Sequence, residues 1–210
     1  MAIRKHALGV ALAAALLFLL TSRWVMAGDS LAFDLRIRAA VHYLASPALT
    51  GVLLTITWWG SGWVMLPLGA VLAWRLAAIG RGRQATLLAI GGLSAELVSS
   101  LLKLLFQRPR PALFYQLIPA ENYSFPSGHA FVATVFYGLL AAILMSAYPR
   151  YRSGIVGATA VIVLLIGLSR VYLGYHYPSD VMGGWACAAV WLALSGPAIH
   201  AANQTEEHHH

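Results

Sequence analysis

Charge is what this sequence has least of. Only 10% of its 210 residues are Asp, Glu, Lys or Arg, against about 25% in a soluble domain. Hydrophobic residues make up 60%, which excludes an ordinary soluble domain and indicates an integral membrane protein. Cysteine is nearly absent: the single Cys187 lies in an apolar run, so an intrachain disulfide and a cysteine metal cluster are both excluded. Acids are scarcer than bases, 7 against 14. Two of those acids, Glu206 and Glu207, precede His208, His209 and His210 at the end of a C-terminal tail (201–210), and these five residues read as a tag remnant. Without it the formal charge rises from +7 to +9, since two acids leave. The cations are scattered between apolar runs instead of gathered on one face, so nucleic acid is not an expected partner. A membrane surface and phosphate are. No internal repeat, low-complexity tract or soluble domain is visible, and residues 1–200 read as one transmembrane domain.

What is present is a series of apolar runs. Ala7 to Leu20 follows Arg4 and Lys5; a signal peptide is the rival reading, but Arg23 and Trp24 look like interfacial anchors of a retained helix. In Asp29 to Ala45, Phe33, Ile37, Val41 and Leu44 share one helical face, and Asp34, Arg38 and His42 share another. Such a segment is expected to lie in the interface plane. Pro47 to Thr57 is too short to cross and reads as interfacial or re-entrant, broken at Trp58-Trp59-Gly60-Ser61-Gly62. The remaining crossings are expected at Trp63–Ile79, Gln84–Phe106, Pro126–Ala147, Gly154–Leu173 and Pro178–Ser195. The fold class is therefore all-α and membrane-integral, with six transmembrane helices and an interfacial segment between the first two. Loop cations divide almost evenly between the two faces. With Lys103, Arg108, Arg110 and Arg170 reserved for a ligand, the balance favours cytoplasmic termini.

Three polar clusters stand at the ends of these runs. Lys103 falls on the last turn of the third crossing, with Arg108 and Arg110 between prolines beyond it. Ser124-Phe125-Pro126-Ser127-Gly128-His129 opens the fourth crossing, with Ser124 or Phe125 expected as cap and Pro126 in the first turn. Its free N–H groups make an anion site. Ser169-Arg170 closes the fifth crossing, His176 sits in the loop, and Asp180 opens the sixth. In a six-helix chain all three clusters fall on one membrane face. A carboxylate at Asp180 can accept the His176 Nδ1 proton and leave Nε2 as a lone pair. Cations and N–H groups to clamp phosphate oxygens, one imidazole to attack and another to protonate the leaving oxygen are what phosphoryl transfer requires. A cation at membrane depth costs up to about 2.5–3.5 kcal/mol, which argues against a merely structural role for them all. A His/Asp metal site is the chemical rival, but three converging cations would repel a divalent ion.

Lys103-x6-Arg110-Pro111, Pro126-Ser127-Gly128-His129 and Ser169-Arg170-x5-His176-x3-Asp180 resemble, in spacing and order, the three signature motifs of the type 2 phosphatidic acid phosphatase superfamily. The resemblance implies an all-α core and hydrolysis through a phosphohistidine without a metal or other cofactor. It implies His176 as nucleophile, Asp180 as its orienting partner and His129 as general acid. Lys103, Arg110, Ser127, Gly128 and Arg170 would hold the phosphate. Arg108 lies outside the motif and stands as a secondary candidate. So does Glu96, seven residues before Lys103 on the same helix face, since an intramembrane carboxylate is a functional candidate by default.

The expected activity is removal of the terminal phosphate from a lipid mono- or diphosphate whose tail stays in the bilayer. The compact layout is similar to that of undecaprenyl diphosphate and phosphatidylglycerophosphate phosphatases; phosphatidate is a further candidate substrate. The expected location is a bacterial-type inner membrane with the site facing the periplasm. The alternatives are a lipid phosphotransferase and a non-catalytic lipid-phosphate binder or transporter. The His176–Asp180 pair weighs against the last, because binding needs only the cations.

Overall fold

The computed structural model describes residues 2–112 and 123–204, with side chains for 8–112 and 123–203. Residues 113–122 of the expected polar loop and 205–210 of the tail lie outside the described residues. Among the described residues there are eight α-helices, one 3₁₀ turn at Pro149–Tyr151 and no strand. The helices are α1 Ala2–Met26, α2 Leu31–Tyr43, α3 Pro47–Trp58, α4 Gly62–Ala78, α5 Gly82–Phe106, α6 Gly128–Ala147, α7 Arg152–Tyr172 and α8 Pro178–Gln204. α1, α5, α6, α7 and α8 are each long and apolar enough to cross a membrane. α4 has 17 residues, about 25 Å, short of a hydrocarbon core of about 30 Å. It meets the requirement only together with α3, to which it is bent by 43°. Six crossings therefore require α3 and α4 to count together as one broken span, in place of the single run Trp63–Ile79. The break is tied down: Tyr137 Oη donates to Trp59 O at 2.9 Å, and Ser61 Oγ donates to Trp58 O at 2.7 Å.

α6 is the central helix. Phe131, Val135, Leu139 and Ile143 are buried along it and form the core with Leu88, Ala95, Ile166 and Ala188 of α5, α7 and α8. The outside inverts the soluble pattern: Leu93, Leu97, Leu101, Leu104 and Leu105 of α5 are all exposed, as suits a surface solvated by lipid tails. At the end of the bundle away from the polar clusters, the fully buried Gln84 joins three helices. Its Nε2 donates to Asn203 Oδ1 at 2.9 Å and to Ser146 Oγ at 3.5 Å. α8 thus continues beyond the expected crossing end at Ser195 and beyond residue 200, to Gln204.

α2 departs most from the expected division of faces. At 13 residues it is about 20 Å long and too short to span. The first two residues of its polar stripe turn inward, Asp34 at 0% and Arg38 at 6% exposed, while His42 in the last turn is exposed; on the apolar side Leu35 is 50% and Ile37 38% exposed. In a chain surrounded by lipid the apolar face has a solvent of its own, so the polar stripe turns toward the protein.

Candidate active site

The polar clusters meet at one end of the bundle, around a cavity of about 620 Å³. Lys103, Arg110, Gly128, His129, Arg170 and His176 line its polar end; Met65, Leu66, Leu88, Leu93, Val132 and Phe136 line its apolar part. The helix ends explain the placement: α5 and α7 finish here with Lys103 and Arg170 in their last turns, and α6 and α8 begin here.

α6 starts later than expected. Ser127, not Ser124 or Phe125, is its N-cap, and its Oγ accepts from Ala130 N at 3.4 Å. The preceding residues are committed to tertiary contacts that hold them out of the helix. Ser124 N donates to Arg108 O at 2.8 Å and Ser127 N to Asp180 O at 2.9 Å. Phe125 packs edge-on against Phe106 at 4.9 Å between ring centroids. Ser127, fully buried, stands behind the cavity wall instead of lining it. Gly128 does line it, and a Cβ there would stand 3.1 Å from both Lys103 Nζ and Ser99 Oγ. The missing side chain leaves that space to the ammonium group.

His176 is 1% exposed. Burial, partly offset by Asp180, lowers its imidazole to about 3, so the ring is neutral at physiological pH. Arg110 Nη1 stands 3.3 Å from Nε2 and also donates to Tyr175 O at 2.8 Å. A guanidinium only donates, so Nε2 is the acceptor and the proton sits on Nδ1. The Nδ1 side faces Asp180 Oδ2 at 3.5 Å, longer than a well-formed hydrogen bond. Ser124 shares that oxygen: its Oγ donates to Asp180 Oδ2 at 2.5 Å and lies 3.4 Å from His176 Nδ1. Tyr177 N donates to the same oxygen at 2.8 Å.

Arg170 Nη1 donates to Thr57 Oγ1 at 2.8 Å, its guanidinium lies 4.2 Å from the Tyr175 ring centroid, and its buried Nε has no protein partner among the described residues. His129 enters from the first turn of α6 and sits close to the break between α3 and α4: a Cβ on Gly60 would stand 3.3 Å from His129 Cδ2. Arg108 is not in the cavity. It bonds Asp180 Oδ1 at 2.5 Å and Asp34 Oδ2 at 2.8 Å, behind the histidine. Burial opposes its charge, but Asp180 and Asp34 raise its pKa above the ordinary arginine value. Glu96 lines the cavity at the lipid-facing side of α5 and has no hydrogen-bond partner among the described residues.

Sequence reasoning missed Ser124, Thr57, Tyr175 and Asp34. Ser124 was hidden by its reading as a cap. Thr57 sat in a run judged only for its hydropathy. The signal that could have found Asp34 is the Ser30–Asp34–Arg38 stripe at steps of four: a polar stripe on a segment that has lipid available for its other face belongs against the protein.

Comparison with known proteins agrees with this layout. The family model described as "PAP2 superfamily" matches residues 84–203, a stretch that contains all three motifs. The chain is 29% identical over 164 residues to phosphatidylglycerophosphatase B of Bacillus subtilis (strain 168), covering 77% of this chain and 80% of that protein. It is 28% identical over 188 residues to an undecaprenyl-diphosphatase of Sulfolobus acidocaldarius, covering 85% of each. The crystal structure of a transmembrane PAP2-type phosphatidylglycerolphosphate phosphatase from Bacillus subtilis superposes with a TM-score of 0.83 at 27% identity, covering 89% of this chain and 94% of that one.

Proposed function

Since this chain belongs to the PAP2 superfamily, we propose that it is a lipid phosphatase that removes the terminal phosphate of a lipid mono- or diphosphate through a phosphohistidine on His176. One observation carries the reading: the neutral His176 Nε2 faces a cavity whose polar end bears Lys103, Arg110 and Arg170 and whose remaining wall is apolar. The phosphate would sit among those cations and the Gly128 backbone, displacing Arg110 from Nε2. The tail would lie along the apolar wall in continuity with the bilayer.

The steps follow from the geometry. The Nε2 lone pair attacks phosphorus, and the P–O bond to the lipid breaks as the N–P bond forms. Protonated His129 gives its proton to the departing oxygen. Positive charge that develops on the His176 ring is stabilised by the Asp180 carboxylate through Nδ1–H. Water then attacks the phosphohistidine with His129 as base, which releases inorganic phosphate and restores both imidazoles. Lys103, Arg110 and Arg170 stabilise the equatorial oxygens throughout. Ser127 contributes indirectly, by capping α6 and orienting the N–H groups next to Gly128. A metal has no step to perform in this scheme. The carboxylate beside His176, Asp180, is already shared among Arg108, Ser124 and the Tyr177 N–H.

The substrates proposed are undecaprenyl diphosphate, phosphatidylglycerophosphate and phosphatidate, the first two by likeness to the relatives' activities. The protein is a multi-pass membrane protein. We place it in a bacterial-type inner membrane with the site outward and the termini cytoplasmic. Purified protein in detergent, offered these three lipids with EDTA present, is expected to release phosphate from at least one, with inhibition by vanadate as a five-coordinate phosphorus mimic. Loss of all release on chelation, restored by one metal, would overturn the scheme. Transfer of phosphate to an added lipid alcohol in preference to water would convert it to a phosphotransferase.

A further inference from the structure

Asp34 lies on α2, outside the residues matched by the family model, and is fully buried. Among the described residues, the hydrogen bonds its carboxylate accepts run to the back of the site. Oδ1 accepts from Ser179 N at 2.9 Å; Oδ2 accepts from Ser179 Oγ at 2.7 Å and from Arg108 Nη2 at 2.8 Å. The other nitrogen of Arg108, Nη1, donates to Asp180 Oδ1 at 2.5 Å and Ser179 Oγ at 2.8 Å. Ser30 Oγ steadies Nη2 at 3.2 Å, and the Tyr177 ring lies 4.2 Å from the guanidinium carbon. One guanidinium is thus held between two buried carboxylates, one of which faces the candidate nucleophile.

We infer that Asp34 is a positioning residue for the His176–Asp180 pair, acting through Arg108. The inference rests on the proposed phosphatase reading. Asp180 has two tasks that compete. Its Oδ1 is held by Arg108, while its Oδ2 must accept from His176 Nδ1–H and retain enough negative charge to stabilise the ring during attack. Arg108 facing Asp180 alone would turn its planar fork onto both carboxylate oxygens, the geometry guanidinium prefers. That would draw Oδ2 from a histidine already 3.5 Å away and neutralise the charge the reaction uses. Asp34 holds the second arm of the fork, so that Arg108 fixes only Oδ1. An interfacial helix remote in sequence thereby sets the aim and basicity of the catalytic carboxylate. The bland alternative is that Asp34 only caps α8 through Ser179 N, and the test is chosen to separate the two.

Asp34→Asn retains a carbonyl oxygen for Ser179 N but presents an amide, in place of a carboxylate, to Arg108. The expected result is a fall in kcat of about 10- to 100-fold, the scale of a misplacement of an ångström or less, with KM within about twofold because no phosphate holder is touched. In an Arg108→Gln background the same substitution should cost less than about twofold, since its intermediary is gone. Unchanged kcat in Asp34→Asn, a change confined to KM, or multiplicative losses in the double variant would overturn the inference. Should Asp34→Asn not fold, Arg108→Gln alone removes the intermediary and is expected to lower kcat at least about tenfold with KM within about twofold; unchanged kcat would overturn the inference. Wild-type protein is assayed first. An inactive wild type counts against the phosphatase reading, whereas failure of these variants in an active enzyme counts only against the role of Asp34.

Discussion

Gly128 in the cavity wall and Gly184, where α8 crosses the start of α6, should respond differently to the same substitution. A Cβ on Gly128 would stand 3.1 Å from Lys103 Nζ and 3.1 Å from Ser99 Oγ. Both are side-chain atoms, and the lysine has a flexible stem, so Gly128→Ala should fold with little loss of stability. The ammonium must retreat by a few tenths of an ångström from the place where phosphate oxygens would gather. Complete removal of such a donor costs about 10²–10³ in rate, and a misplacement of about 1 Å costs up to 10². The expected loss in kcat/KM for Gly128→Ala is therefore about tenfold, or ~1.4 kcal/mol of barrier. At Gly184 a Cβ would meet Ser127 O at 2.7 Å and Phe131 N at 3.2 Å. Those are backbone atoms where α8 crosses the start of α6, and they cannot swing aside. Gly184→Ala should destabilise by about 1–3 kcal/mol, read as an earlier thermal transition in detergent. Phosphate release over a range of lipid concentrations, which gives kcat/KM, and thermal unfolding, measured on both variants, give the comparison. Wild-type kcat/KM in Gly128→Ala would refute the placement of phosphate between Lys103 and the start of α6.

Other consequences are open to direct measurement. His129→Ala should bind lipid phosphate yet fail to expel a poor leaving group such as a lipid alkoxide, and should recover relative to wild type with p-nitrophenyl phosphate, which needs little protonation; equal losses on both substrates would remove His129 as the acid. Arg170→Ala should lose about 10²–10³ in rate, and Thr57→Val, which deletes the hydroxyl 2.8 Å from Nη1, should lose less than that in the same assay; a Thr57→Val variant more damaged than Arg170→Ala would contradict the support role. In right-side-out inner-membrane vesicles, an impermeant thiol reagent should label a cysteine placed at Tyr43, which is 90% exposed, and not one placed at Arg81. The reverse pattern would put the site on the cytoplasmic face.

Much of this layout was legible in the sequence because the chemistry stands at helix ends. Lys103, His129, Arg170 and Asp180 interrupt apolar runs, and polar residues at such places are costly enough to be noticed one by one. Alternation of the crossings then predicts that they share a face, and the structure brings Lys103, His129 and Arg170 to one cavity, with Asp180 behind His176. What was not legible depends on contacts between segments far apart in the chain. The start of α6 at Gly128 instead of Pro126 follows from Ser124 and Ser127 being held by Arg108 and Asp180, which no local capping rule contains. The bent pairing of α3 with α4 is set by Gly60 passing under Ile166 and His129. Arg108 illustrates the same limit: spacing separates it from Arg110, but only the fold shows one arginine facing the cavity and the other bridging two carboxylates behind it.

The central claim is that His176 carries the phosphoryl group. Rapid alkali quench of the enzyme turning over a ³²P-labelled lipid phosphate, followed by peptide mapping at alkaline pH, tests it most directly. The account predicts acid-labile, alkali-stable phosphate on the peptide that contains His176, present in His129→Ala with a good leaving group and absent in His176→Ala. Phosphate found on His129, or retained in His176→Ala, would contradict it.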